Sequence, residues 1–368
     1  MNTIVNWNEQ SQPMQALWGG DERHPLPSQI KCTNQITADD ALRQMHQRIA
    51  LLWRGDYHQG KQLLTAIKKR VHRKAKVHND FHKHRLQQAQ QSRLFQRLLI
   101  EIQPDGCISN SRAPNVKQAL LDVFGQPNKK NMLIPLHLLL GYIGAYEWHK
   151  TGIIIPALNN QKIHVPYGVF SPVRGEYLQL VSQATLPVVY NTAWDIGTGS
   201  GVLSAILAHR GVSRIIATDN NPRAIACAQA NIQRLGLKDQ VYIQQTNLFP
   251  DGRADLIICN PPWLPVKPSS SIETALYDPE HQMLKAFLSN AVNHLNPQGQ
   301  VWLIMSDIAE HLGLRSPQAL QQWFSFAGLQ VIYKSDIQPQ HPKSKHQHSA
   351  LSYARNLETT SLWQLIAN

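Results

Sequence analysis

The chain has 368 residues, 42% of them hydrophobic, and a formal net charge of +12 from 36 Lys/Arg against 24 Asp/Glu. That length and apolar content suffice for two packed domains and exclude a disordered or low-complexity chain. The first residues show neither a basic nor an apolar signal segment, and the most apolar stretch, Leu133 to Tyr146, contains Pro135 and His137 and is too short for a bilayer, so a cytoplasmic protein is expected.

Charge is unevenly spread. Residues 1 to 160 carry 21 Lys/Arg against 11 Asp/Glu, and residues 161 to 368 carry 15 against 13. Eleven of the cations lie between Lys61 and Arg97, where Asp80 is the single acid. A run with so few acids favours a polyanionic partner over a merely solubilising face, which normally mixes signs. Cys32, Cys107, Cys227 and Cys259 form no Cys-x-x-Cys pair and read as reduced, packed thiols. His78, His82 and His84, like His341, His346 and His348, lack a matching partner pair, and no metal is expected.

Residues 1 to 35 are rich in Gln, Asn and Pro and are expected to be irregular. Thr37 to Asp40 forms a capping box, opening a helix whose apolar face is Ala41, Leu42, Met45, Ile49, Leu52 and Trp53, ended by Gly55. A second helix from Gln59 buries Leu63, Leu64, Ile67 and Val71 and turns Lys61, Lys68, Lys69, Arg70, Arg73, Lys74 and Lys76 outward. Phe81 to Ile102 gives a third helix, Ala113 to Phe124 a short one closed by Gly125, and Pro135 to Lys150 another. Ile153 to Pro156 and Lys162 to Val165 read as a hairpin. The expected organisation is a mainly helical, basic domain over 1–150, a linking hairpin over 151–167 and a ligand-binding domain over 168–368.

From Gly168 strands and helices alternate. Strands are expected at Thr192 to Asp195, Arg214 to Asp219, Val241 to Gln245, Ala254 to Asn260, Gln300 to Ser306, Leu329 to Lys334 and Ser361 to Ile366. This spacing makes a doubly wound, mostly parallel α/β sheet of seven strands. Only the polar loop Gln338 to Ser349 is read between the last two strands, so the final strand should run antiparallel.

Two motifs carry chemistry. Asp195 precedes Gly197-Thr198-Gly199-Ser200-Gly201 between the first strand and its helix, and Asp219 closes the second strand, the arrangement that brings a backbone and a ribose-binding acid up to a nucleotide. Val202 stands where the dinucleotide fingerprint needs glycine or alanine, which disfavours a nicotinamide-dependent oxidoreductase. The second motif is Asn260-Pro261-Pro262-Trp263, which ends the fourth strand because neither proline can donate to a sheet ladder. It delivers an amide, rigid carbonyls and an indole to the carboxyl end of the sheet, where open α/β folds bind ligands.

Together these residues resemble the class I S-adenosylmethionine-dependent methyltransferases, over roughly residues 165 to 368, and in particular the HemK-type and "methyltransferase small domain" N-methyltransferases. The resemblance rests on the acid and G-x-G-x-G loop, Asp219, Asn247 in Thr246-Asn247-Leu248-Phe249, the NPPW motif and the antiparallel seventh strand. It implies a Rossmann-like fold and S-adenosyl-L-methionine as cofactor, held by Asp195, Gly197, Thr198, Gly199, Gly201, Asp219, Asn220, Asn247, Leu248 and Asn260. Asn260 and the Pro261 carbonyl would accept the two N–H bonds of a planar amide or amino nitrogen, with Pro262 adding rigidity and Trp263 a stacking face. In HemK-type proteins a segment before the first strand folds over the cofactor. Here Gly168 to Tyr177 stands in that place, with Phe170, Arg174 and Glu176 as substrate or lid residues; Glu176 is kept from the usual proline- and arginine-rich form, and much of the rest is replaced. The acceptor is expected in RNA, DNA or a ribonucleoprotein, contacted by Lys68, Lys69, Arg70, Arg73, Lys74 and Lys76. A glutamine of a translation factor or ribosomal protein, as in the HemK type, is the alternative, and a non-catalytic nucleic-acid-binding module on a retained cofactor fold is a reading of another class.

Overall fold

The computed structural model describes residues 3–21, 25–75, 80–127, 129–173, 175–268, 276–339 and 350–368. Lys76, His78, Arg174, His341, His346 and His348 therefore lie outside the described residues. The chain divides into two compact units, Met1–Glu147 and Trp148–Asn368.

The first unit is not mainly helical. It is built on a six-stranded mixed sheet of order β1-β2-β6-β5-β4-β3, formed by β1 (Ile4–Glu9), β2 (Gln12–Trp18), β3 (Gln29–Thr33), β4 (Ile49–Trp53), β5 (Leu98–Ile102) and β6 (Met132–Pro135). Strands β3, β4 and β5 run parallel, β6 is antiparallel to β5, and β1 and β2 form a hairpin whose second strand pairs in parallel with β6. The helices are α1 (Ala38–His46), α2 (Tyr57–Arg73), α3 (Phe81–Phe95), α4 (Lys117–Phe124) and α5 (Leu136–Thr151).

The expected helices over 37–55 and 81–102 are each a helix followed by a strand. Thr37 caps α1 by accepting from the Asp40 N–H, as its motif implies, but Arg48 at φ 66° turns the chain, and Ile49–Trp53 continues as β4. Both β4 and β5 are buried at nearly every position, so their apolar runs have no alternation and extend the preceding helical pattern without a visible break. In β1 only Val5 and Trp7 turn inward, so a true strand there looks polar.

An ion-paired cluster ties three strands together. Arg54 donates to both carboxylate oxygens of Glu9 and to Glu101, and Asn131 Nδ2 donates to the other Glu101 oxygen at 2.8 Å. Arg54→Ala would leave the buried Glu101 carboxylate without its counter-charge, and an expected loss of about 3 kcal/mol of unfolding free energy should appear as an earlier urea midpoint.

In the second unit a small hairpin of β7 (Ile153–Ile155) and β8 (Gln161–Ile163) agrees with the sequence. After α6 (Glu176–Gln183) come β9 (Thr192–Ile196), α7 (Val202–His209), β10 (Arg214–Asp219), α8 (Pro222–Arg234), β11 (Val241–Gln245) and β12 (Ala254–Cys259). The chain continues through α9 (Gln282–Ala291), β13 (Leu295–Ser306), α10 (Ile308–His311), α11 (Ala319–Phe326), β14 (Leu329–Ile337), α12 (Ala350–Leu357) and β15 (Thr360–Ala367). The sheet order is β11-β10-β9-β12-β13-β15-β14, with β15 antiparallel to both its neighbours and the first five strands parallel. This is the doubly wound, Rossmann-like sheet expected, with one correction. A helix, α12, stands between the last two strands.

Alternate residues of β12 feed two cores. Leu256 and Ile258 pack with Ile215, Trp302 and Ile304 on one face, and Ile257 and Cys259 with Trp194, Phe287 and Leu303 on the other. A strand buried on both faces must be apolar throughout, which explains the uninterrupted run before Asn260. At about 1.5–3 kcal/mol per buried large side chain, these residues hold the strand end rigidly where the motif begins. All four cysteines are free, and Cys227 and Cys259 are buried. Among the described residues no helix is long and apolar enough to cross a membrane.

Candidate active site

The sheet's order reverses beside β9, and the loops after β9, β10, β11 and β12 converge there. The loop after β9 is glycine-rich because three of its positions, Gly197, Gly199 and Gly201, have φ of 73°, 56° and 80°. The Gly197 and Thr198 N–H groups both donate to the Thr218 carbonyl at 2.9 and 2.8 Å, which ties the turn to the end of β10.

The three glycines do different things. At Gly199 a Cβ would meet nothing within 4 Å and would project into open space over the loop, whereas at Gly201 it would meet the Ala228 Cα and Cβ at 3.3 Å. Gly201 thus permits close packing of the loop against α8. Gly201→Val is expected to cost about 2 kcal/mol of stability through overpacking and a strained φ, visible as a lower melting temperature.

Asp195 serves the loop from beneath. It is fully buried, and its Oδ2 accepts from Thr198 Oγ1 and Ser204 Oγ, both at 2.6 Å, and from the Ser204 N–H at 3.1 Å. Burial raises its pKa and these donors oppose the rise. Asp219, at the end of β10, accepts from the Gly199 N–H at 3.0 Å on Oδ2 and from the Asn221 N–H at 2.9 Å on Oδ1. Its pKa is also raised, by burial against the same kind of backbone donors.

A cavity of about 700 Å³ opens above these loops. Of the residues singled out in the sequence, Gly197, Thr198, Gly199, Asp219, Asn220, Asn247, Leu248, Asn260, Pro261, Pro262, Trp263 and Phe170 line it. Asp195, Gly201 and Glu176 do not: the first two support the loop, and Glu176 opens α6. Leu248 adopts φ 65°, a costly conformation for a branched residue, while its carbonyl accepts from Thr218 Oγ1 at 2.6 Å.

At the end of β12 Asn260 Oδ1 accepts from the Trp263 indole Nε1–H at 3.0 Å. Burial, with the Asp195 charge, pushes the Tyr177 phenol well up, so it stays protonated. Tyr177, Tyr277, Asp278, Arg355 and Glu358 also line the cavity and were not singled out in the sequence. Asp278 caps α9, accepting from the Met283 and Leu284 N–H groups at 2.9 and 3.0 Å, and Glu358 Oε1 accepts from Ser306 Oγ at 2.7 Å. Tyr177 closes the Gly168 to Tyr177 segment expected to fold over the cofactor but is not one of the contacts expected there, and it stands in the first turn of α6. Arg355 and Glu358 belong to α12 and the turn after it.

The basic helix α2 is smaller as an open patch than its composition suggests. Lys68 Nζ lies 3.0 Å from His137 Nδ1 and over the Phe95 ring, and burial lowers its pKa. Burial, with the Lys68 charge, also lowers the His137 pKa, to about 4. Arg70 pairs with Asp39 at 2.8 Å. Lys69, Arg73 and Lys74 remain exposed.

Residues 161–331, just under half of the chain, match the family model described as methyltransferase small domain. Over 71 residues the chain is 42% identical to a ribosomal protein L11 methyltransferase of Pelotomaculum thermopropionicum, covering 19% of this chain and 23% of that one. It is 27% identical to a release factor glutamine methyltransferase of Thermosynechococcus vestitus, over 48% of this chain and 62% of the relative. With a ribosomal RNA small subunit methyltransferase C of Klebsiella pneumoniae it shares 29% identity over 46% of each chain. The chain spans less than two thirds of the length of each of these relatives.

Proposed function

Because residues 161–331 match the family model described as methyltransferase small domain, we propose that the chain is an S-adenosylmethionine-dependent N-methyltransferase acting on a planar amino or amide nitrogen. The observation that carries this reading is the single cavity that joins the glycine loop and Asp219 to Asn260, Pro261 and Trp263. The residues present fit the cofactor. Open space at Gly199 would let a ligand approach the backbone, the Asp219 carboxylate could accept from ribose hydroxyls, and Asn247 and Leu248 line the same cavity and would hold the rest of the nucleoside.

Bound S-adenosylmethionine supplies a sulfonium methyl that an aligned nucleophile takes as the carbon–sulfur electron pair returns to sulfur. The chain's own task is to aim the acceptor. An amide or aromatic amine is a poor nucleophile because its lone pair is delocalised. Accepting its two N–H bonds on Asn260 Oδ1 and the Pro261 carbonyl holds the nitrogen in place and favours the pyramidal form. Trp263 and Tyr277 shield the site from water. The acceptor nitrogen sheds one proton to solvent after the new carbon–nitrogen bond forms, so no side chain has to act as base first.

The acceptor we favour is RNA or a ribonucleoprotein. The exposed Lys69, Arg73 and Lys74 on α2, and the similarity to the ribosomal RNA small subunit methyltransferase, support it. The similarity to the release factor glutamine methyltransferase supports a protein glutamine as the second reading. The test is transfer of labelled methyl from S-adenosylmethionine to an extract of cells lacking the protein. Label removed by nuclease identifies a base, and label removed by protease identifies a side chain. Absence of calorimetric heat with S-adenosylmethionine in folded protein would leave only a non-catalytic nucleic-acid-binding module.

A further inference from the structure

We propose that Trp263 is a positioning residue: its indole N–H, returned onto Asn260 by the two prolines between them, selects the face that the Asn260 amide presents to the acceptor. This deepens the methyl-transfer reading and rests on it.

An asparagine amide can rotate by half a turn and exchange its oxygen for its NH2 with almost no change in shape. For a residue that must accept a hydrogen bond from the substrate's nitrogen, the two states are opposites. One offers a lone pair. The other offers an N–H that repels the acceptor's own N–H.

The surroundings of Asn260 distinguish them. An indole nitrogen only donates, so the atom 3.0 Å from Trp263 Nε1 has to be the amide oxygen. Tyr177, almost wholly buried in the first turn of α6, lines the same cavity as this side chain. The Trp263 bond thus fixes the amide orientation by itself, and it uses one lone pair of Oδ1 in a side chain that lines the cavity. Pro261 and Pro262 fix two successive φ angles, so the indole of residue i+3 reaches back to residue i with little freedom to lose.

This makes the tryptophan chemically distinct from the other aromatic residues that could stack in its place. Phenylalanine has no donor, and a tyrosine hydroxyl lies beyond the end of its ring, away from the position of the indole nitrogen. Trp263 is also half-buried and packed against both cores of the second unit, which suits an orienting group better than a free stacking plate.

The test uses the full chain, labelled S-adenosylmethionine and the same acceptor-containing extract. Trp263→Phe is expected to lower kcat about tenfold, the effect of losing one neutral hydrogen bond, with the KM for S-adenosylmethionine unchanged. The decisive comparison is the Asn260→Asp background. A carboxylate has two equivalent oxygens and needs no flip control, so adding Trp263→Phe there should have little further effect. An equal loss in both backgrounds would show that Trp263 acts by packing alone and would overturn the proposal. Independently of any acceptor, the Trp263 indole proton, identified by its absence in Trp263→Phe, should exchange slowly with solvent and move upfield in Asn260→Ala. Fast exchange in the unmodified chain would also overturn it. If no acceptor is methylated at all, the functional reading fails while the indole proton still decides the hydrogen bond.

Discussion

Asn260→Ala is expected to reduce turnover by about a hundredfold or more while leaving the affinity for S-adenosylmethionine nearly unchanged. The asymmetry follows from where the side chain sits. Its oxygen is engaged by Trp263, at the wall formed by the NPPW motif and not at the loop that carries Asp219. Alanine removes the proposed acceptor for the substrate's N–H and leaves the Trp263 indole without its partner. The acceptor nitrogen then loses direction, and small misplacements in a displacement reaction are costly. Single-turnover assays with calorimetry on the same preparation check both halves. Full activity of Asn260→Ala on the true acceptor would remove the NPPW motif from the mechanism.

Asp219→Ala should show the opposite pattern, with cofactor binding weakened roughly thirtyfold or more before any change in the methyl-transfer step itself. Two effects combine. The ribose hydroxyls lose a charged acceptor, and the Gly199 and Asn221 N–H groups, now held at 3.0 and 2.9 Å by the carboxylate, lose theirs. The second effect loosens the turn whose open backbone at Gly199 receives the ligand. Asp219→Asn, which keeps one acceptor oxygen for the loop, should fall between the two in titrations with S-adenosylmethionine, and circular dichroism will show whether the fold is retained.

The two halves of the chain were unequally legible. In the second unit each strand is separated from the next by a helix or by turn residues, so the run Ala254–Cys259 and the breaks after it could be read directly, and Gly197 to Gly201, Asp219 and Asn260 to Trp263 marked the loops that meet at the cavity. In the first unit β4 and β5 follow α1 and α3 after two residues each. A helix that runs into a doubly buried strand keeps its apolar residues without changing composition, and only the backbone turn at Arg48 marks the first boundary. The contribution of Lys68 and Arg70 was overestimated because charge in a sequence does not show where a side chain is committed. Their partners, His137 and Asp39, are 69 and 31 residues away. Tyr177 was missed for the same kind of reason. It reaches the cavity only because the fold brings the first turn of α6 to the loop after β12, and nothing within α6 records that.

The insertion of β15 between β13 and β14 also orders events during synthesis. Strand β14 emerges from the ribosome before the strand that will join it to the sheet, and it must wait for Thr360–Ala367 before it has a neighbour. The cavity waits too, since Arg355 and Glu358, which line it, precede that strand by only a few residues. A nascent chain arrested before residue 350 would have the glycine loop and the NPPW motif in place but not this wall, and it would carry an unpaired strand able to associate with other chains. The pairing of β14 and the completion of the cavity wall at Arg355 and Glu358 therefore depend on one and the same segment, residues 350–367.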